Sequence, residues 1–140
     1  MSVDNNKLID IMRKNIYTCE KDRYGHIFIV VNNFTPAKYT KKQKLMVLEH
    51  IIQVTQESLV ISNTYNNKTS YVHLNLKNFR RENFNLKLFK KINTIISETF
   101  DDTLESMFIY SDSKIFSSVW KIIKNFIEID TRDKIILVNC

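Results

Sequence analysis

One glycine and one proline in 140 residues leave this chain with almost no punctuation. A phosphate-cradling loop needs several glycines at fixed spacing, so a nucleotide-binding loop of that kind is excluded. No internal repeat, proline-rich linker or glycine-serine hinge divides the chain. Cysteine is equally scarce. Cys19 and Cys140 make neither a disulfide framework nor a metal-ligand spacing, and read as free thiols in a reducing, cytoplasmic compartment. No apolar run approaches the roughly 18 residues of a membrane span. Met1 to Asp4 has neither the basic start nor the apolar core of a signal peptide, and Ser2 stands where myristoylation requires glycine. The three histidines, His26, His50 and His73, are far apart and lack cysteine or carboxylate partners at ligand spacing, so no metal is expected. Asp101 and Asp102 are adjacent carboxylates, which diverge, and a helix-to-strand turn accounts for them. With no nucleophile elbow either, the chain is expected to be no enzyme and to need no cofactor.

What is present suits a globular domain. Hydrophobic residues make up 44% of the chain and charged residues 26%, enough for one core and too few charges for disorder. At this length a single domain over residues 1–140 is expected. The net charge of +6 favours anionic partners such as phospholipid headgroups, nucleic acid or acidic proteins. Nucleic acid is set aside. The basic groups Lys41-Lys42-Gln43-Lys44 and Arg80-Arg81 read as solvated faces, and Phe89, Phe108, Phe116, Trp120 and Phe126 fall in the apolar periodicity as core or pocket candidates rather than stacking platforms.

Periodicity predicts helix over Asn5 to Lys14, a short extended segment from Asn15 to Cys19, and a strand from His26 to Val31. That strand scarcely alternates, which predicts cover on both of its faces. Gly25 is expected to supply a positive-φ turn before it. Thr40 is expected to cap a helix over Lys41 to Gln56, followed by a polar loop from Asn63 to Lys68. A strand over Tyr71 to Leu76, a helix over Asn85 to Thr99 and strands over Met107 to Tyr110 and Lys134 to Val138 complete the pattern. Helix alternating with strand argues for an α/β fold, a mostly parallel sheet of about four strands. The helix from Ile115 to Ile127 stands apart. Its apolar face covers about 160° of the circumference, where a core-facing stripe needs roughly 100°. Such a face can seal a core and still leave apolar surface for a ligand or partner.

Four segments resemble the CRAL-TRIO lipid-binding domain family, in the family's order. Asp22-Arg23-Tyr24-Gly25-His26-Ile27-Phe28-Ile29-Val30 is similar to its opening strand. His73-Leu74-Asn75-Leu76-Lys77-Asn78-Phe79 is similar to a strand ending in D-L-K-G, with Asn75 for the aspartate and Asn78 for the glycine. Phe100 to Tyr110 resembles the Y-P-E-R-L turn and its strand, with Asp102 where glutamate is usual. Ile115 to Ile127 resembles the F-x-x-x-W-x-I-x-K-P-F-L helix, and Thr131 to Ile135 the T-x-x-K-I continuation. The last two segments align without a gap.

The resemblance implies a hydrophobic slot between the sheet and the Phe116 to Ile127 helix, which acts as a movable gate. A lipid or other hydrophobic small molecule is the implied ligand, with Phe116, Trp120, Ile123 and Phe126 lining the slot. In phosphoinositide-binding members polar residues hold the headgroup. Ser70, Asp102 and Lys134 match three of those positions, Lys134 for phosphate and Asp102 for an inositol hydroxyl, while Val72 departs at the fourth. The family's leading helical region and trailing segment are nearly absent, so a minimal version of the domain is expected. Peripheral membrane contact follows if the gate helix lies at an interface. The alternative is a scaffold like the BCH domains of the same fold, binding a small GTPase or a second copy as a homodimer without a ligand.

Overall fold

The computed structural model describes residues 3–140. Met1 and Ser2, on which the reading against a signal or lipid anchor depends, lie outside the described residues. Asp4 caps α1 (Asn5–Asn15) by accepting a hydrogen bond from the Asn6 N–H at 2.8 Å. One turn apart on α1, Leu8 and Met12 are buried against Ile16, Ile27, Tyr39, Val47 and Val54, the main core. The chain passes directly into β1 (Ile16–Lys21), which pairs antiparallel with β2 (Tyr24–Val30).

A two-residue turn joins these strands. Asp22 and Arg23 have φ of 52° and 69°, the two positive values of the hairpin turn whose twist matches its flanking strands. Gly25, expected to provide the positive φ, does not. It lies inside β2 and provides space instead. A Cβ there would overlap the carbonyl oxygen of Ser58 and sit 2.6 Å from its carbonyl carbon.

Ser58 belongs to α2 (Lys41–Thr64), which begins as expected at Thr40. The Gln43 N–H donates to the Thr40 hydroxyl at 3.1 Å and the Thr40 N–H to the Gln43 side-chain oxygen at 3.0 Å, a complete capping box. The helix continues two turns beyond Gln56, where the apolar pattern stops. Its buried seam changes there from Val47 and Val54 to Thr55, Ser58 and Ser62. These small residues let α2 settle against Gly25, whose N–H donates to the Ser62 hydroxyl at 2.7 Å. Serines carry no hydrophobic signal, so periodicity ends where close packing begins.

The remaining elements are β3 (Ser70–Asn75), α3 (Leu86–Thr99), β4 (Leu104–Ser111), α4 (Ser113–Ile123), α5 (Ile129–Arg132) and β5 (Ile135–Asn139). The sheet has the order β1-β2-β3-β4-β5, with β2 to β5 parallel. This is the expected α/β fold with four parallel strands, to which β1 adds an antiparallel edge. The helix-bearing crossovers advance across the sheet in one direction, and crossovers of one hand gather their helices on one face. The other face carries Tyr17, His26, Phe28, Tyr71, His73, Phe108 and Tyr110, whose rings lie against one another. The His26 to Val31 run is therefore helix-covered on one face only. Alternation fails there because its other face is aromatic and imidazole rather than polar. Phe108, a core or pocket candidate, belongs to this second face.

Candidate functional site

Strand register places Ile27, Val72, Met107 and Ile135 in one row across four strands, with Ile29, Leu74 and Ile109 in the next. These two rows floor a cavity of about 320 Å³ on the helix-covered side. α2 lies directly on β1 and β2. Towards β4 and β5 the helices stand off the sheet, and Phe89, Ile92 and Ile96 of α3 face Val119 and Ile123 of α4 around the space. Its size falls at the small end of ligand sites, which run from roughly 300 to 1,000 Å³.

No lysine, arginine, aspartate, glutamate or histidine lines this cavity. Its polar residues are mostly engaged with the protein itself. The Asn83 amide donates to the carbonyls of Asn32 and Phe34 at 3.0 and 2.8 Å and accepts from the Arg80 N–H at 2.7 Å. The Thr55 hydroxyl donates to the Ile51 carbonyl at 2.8 Å. A guest therefore meets hydrocarbon almost everywhere, and a charged group inside would have no ionic partner.

Asp112 caps α4 by accepting from the Ile115 N–H at 2.8 Å. The helix was expected to run to Ile127, but its α-helical part ends at Ile123 and a tight 3-10 turn, Lys124–Phe126, follows. Residues four apart, Val119, Ile123 and Ile127, face the cavity. Of the four apolar residues expected to line the slot, Ile123 does so. Phe116 and Trp120 stack on each other, with ring centroids 5.9 Å apart and planes 13° from parallel, outside the lining. Phe126 is turned towards α3: the Lys90 ammonium lies 4.2 Å from its ring centre, and the Asn93 amide donates to its carbonyl at 2.6 Å. A 160°-wide apolar stripe shows that a helix has two apolar contacts, but not which third of it meets the cavity. The α3 wall was legible as an inward stripe. Core and cavity wall carry the same sequence signal.

Ser70, Asp102 and Lys134 are brought to one end of the molecule, the amino ends of β3, β4 and β5. Backbone bonds connect them: the Ser70 N–H donates to the Thr103 carbonyl at 2.8 Å, and the Met107 N–H to the Lys134 carbonyl at 2.9 Å. None of the three lines the cavity. Ser70 is buried in the seam beneath α2, its hydroxyl bonded to that of Ser58 at 2.8 Å. Asp102 is exposed in a left-handed turn with φ of 56°, and Lys134 is half-buried. Val72, the departure from the phosphoinositide pattern, is part of the floor. Outside the same gate segment, Ile122, Phe126 and Ile129 are exposed, Ile129 to 70%, among the exposed Lys121 and Lys124.

On the reverse of the sheet, sequence separation hid a contact. His26 Nδ1 and His73 Nε2 are 2.8 Å apart. His26 Nε2 meets the Lys21 carbonyl at 3.0 Å, and His73 Nδ1 meets the Tyr110 hydroxyl at 2.8 Å. Both imidazoles are buried, with 5% and 8% exposure. Burial, the largest cause for each, holds their pKa values below the ordinary imidazole value. Burial also raises that of the neighbouring Tyr71. Among the described residues no group of three or more His, Cys, Asp or Glu side chains is placed to hold a metal ion.

Comparison with known proteins places this fold among others. Residues 11–140 match the family model described as the CRAL/TRIO domain. The crystal structure of Sfh5 is similar over 97% of this chain, with a TM-score of 0.68 at 13% identity, a likeness of fold. This chain spans about half of that one, 49% of its length. No curated protein matches.

Proposed function

Because this chain belongs to the CRAL/TRIO domain family, we propose that it binds a lipid or other hydrophobic molecule without catalysing a reaction. The observation that carries this reading is the cavity of about 320 Å³ between sheet and gate, lined without a charged side chain. Each methylene withdrawn from water there contributes about 0.8 kcal/mol, before the cost of association.

The outward face of the gate segment supports exchange at a membrane. Ile122, Phe126 and Ile129 suit insertion among acyl chains, while Lys121 and Lys124 suit anionic headgroups. No helix among the described residues is long and apolar enough to cross a membrane, so this contact is peripheral in our reading. Two exposed free cysteines fit a reducing, cytoplasmic setting. For a ligand of phosphoinositide type we place the headgroup outside the cavity, where Lys134 would meet phosphate and Asp102 an inositol hydroxyl. Ser70, already bonded to Ser58, serves packing in this reading.

Native mass spectrometry of the purified protein followed by organic extraction tests the binding. A co-purifying apolar molecule is expected, displaced by Ile92→Trp, which fills the cavity from α3. Absence of any such molecule, together with no uptake from vesicles, would sink the reading. A scaffold function draws on one observation, the aromatic sheet face that no helix covers. A dimer in light scattering, dispersed by Phe108→Lys, would favour it.

A further inference from the structure

The three hydrogen bonds on the reverse of the sheet can be assigned donor by donor. A carbonyl only accepts, so His26 Nε2 carries a proton and donates it towards the Lys21 oxygen. Neutral His26 then presents a bare Nδ1, and His73 must donate its Nε2–H to it. His73 Nδ1 is bare in turn and accepts from the Tyr110 hydroxyl. All donors point one way, from β4 through β3 to β2 and the end of β1.

The chain of bonds can take one more proton by turning over. His26 becomes imidazolium and donates from Nδ1, His73 adopts the Nδ1–H tautomer, and the half-buried Tyr110 accepts from it. A second proton has no such accommodation. His26 Nδ1–H and His73 Nε2–H would face each other across a separation of 2.8 Å, each on a cation. Because the two rings share one bond, they titrate as a pair.

The pair sits directly behind the cavity. On the opposite side of the same strands, Ile27, Val72, Leu74 and Ile109 are the sequence neighbours of His26, His73 and Tyr110, and they form the floor. We propose that the His26–His73–Tyr110 chain is a pH-sensitive tie across the cavity floor, broken by its second proton, so that acidification loosens a bound hydrophobic ligand. This rests on the ligand-binding reading above.

The groups facing the pair are compatible with such a device. Lys21, Glu20 and Asp22 come from the β1–β2 hairpin; the Lys21 carbonyl and the two carboxylates favour protonation of His26, while the Lys21 ammonium opposes it. Cys19 is the register partner of His26, Tyr71 stacks on His26, and Phe28 and Phe108 flank His73. On the far strand Ile136, opposite Phe108, is apolar. Among the described residues no carboxylate is hydrogen-bonded to either ring, so a doubly charged pair has no direct counter-ion. Burial keeps both rings neutral near neutral pH, with the charge of His26 further opposing that of His73.

The test uses the intact chain and an uncharged fluorescent long-chain alcohol, whose own charge does not change with pH. Its affinity is measured from about pH 7.5 down to about pH 4, because burial and the mutual repulsion of the rings put the second proton below the ordinary imidazole range. The wild type is expected to lose roughly five- to tenfold or more in affinity across that window, and the paired variant His26→Gln with His73→Gln to hold a flat profile. Imidazole nitrogen spectra of the wild type at neutral pH should place both ring protons on Nε2, a readout that needs no variant to fold. A flat wild-type profile, an equal fall in the paired variant, or an Nδ1–H tautomer on either ring at neutral pH would overturn the proposal. If the alcohol binds at no pH, the ligand reading fails, and the tie is judged by melting temperature instead. There the wild type should lose more on acidification than the variant, and equal losses would overturn the tie.

Discussion

Gly25→Ala tests how the sheet and its longest helix meet. Alanine is the better strand former, so on local preference alone the change should stabilise β2 by about 0.5–1 kcal/mol. The packing predicts the opposite sign. The new methyl would overlap the Ser58 carbonyl oxygen and lie 2.6 Å from its carbonyl carbon, whereas ordinary contacts begin at 3.4 Å. Because the obstacle is helix backbone, no rotamer change relieves it, and α2 has to lift by roughly 1 Å. That movement strains two buried hydrogen bonds, Gly25 N–H to Ser62 at 2.7 Å and Ser58 to Ser70 at 2.8 Å. Each is worth about 1 kcal/mol and overpacking adds about 1–3 kcal/mol, which less the local gain leaves a net loss of about 2–4.5 kcal/mol. Against the roughly 5–15 kcal/mol that stabilises a typical domain, such a loss is readily measured. Urea unfolding followed by far-ultraviolet circular dichroism supplies the number. A loss below about 1 kcal/mol, or any gain, would refute the close-approach argument.

Arg23→Gly should be neutral or stabilising by up to about 1 kcal/mol in the same assay, because Arg23 holds φ at 69° without a glycine's freedom; a clear loss would mean that its side chain, not its backbone, matters. Stability should fall on acidification. Both buried imidazoles have folded pKa values below the ordinary 6.5, so the unfolded chain binds more protons as pH drops through that value. Their contribution is fully present above it and is lost below it until the folded groups protonate. With two groups the slope reaches at most about 2.7 kcal/mol per pH unit, and urea midpoints that stay level between about pH 7 and 5 would contradict it. Asn93→Ala removes the donor that holds the Phe126 carbonyl at 2.6 Å, so exchange of a bound fluorescent alcohol, followed by stopped flow, should quicken roughly two- to tenfold for the loss of about 0.5–1.5 kcal/mol; an unchanged rate would show that Asn93 does not restrain the gate.

Much of the fold was readable because its signals are local. Thr40 and Gln43 spell out a helix start three residues apart, and Asn85 and Asp112 cap α3 and α4 through their own side chains. The alternation of helices with β-rich runs led to a parallel sheet. The path failed where packing depends on small or polar residues. Ser58 and Ser62 bury the last turns of α2 without hydrophobicity, and Gly25 reads as a turn residue because its partner lies on an element distant in sequence.

The site divides in the same way. Sequence by itself determined the apolar walls, the excess apolar face of the gate helix and the family, since each rests on residue type at short spacing. Tertiary structure alone decided that Ile123 lines the cavity while Phe116 and Trp120 stack outside it. It alone joined His26 to His73 across 47 residues of chain. Helix rotation and cross-strand register arise from the packing of whole elements, and periodicity within one segment carries neither.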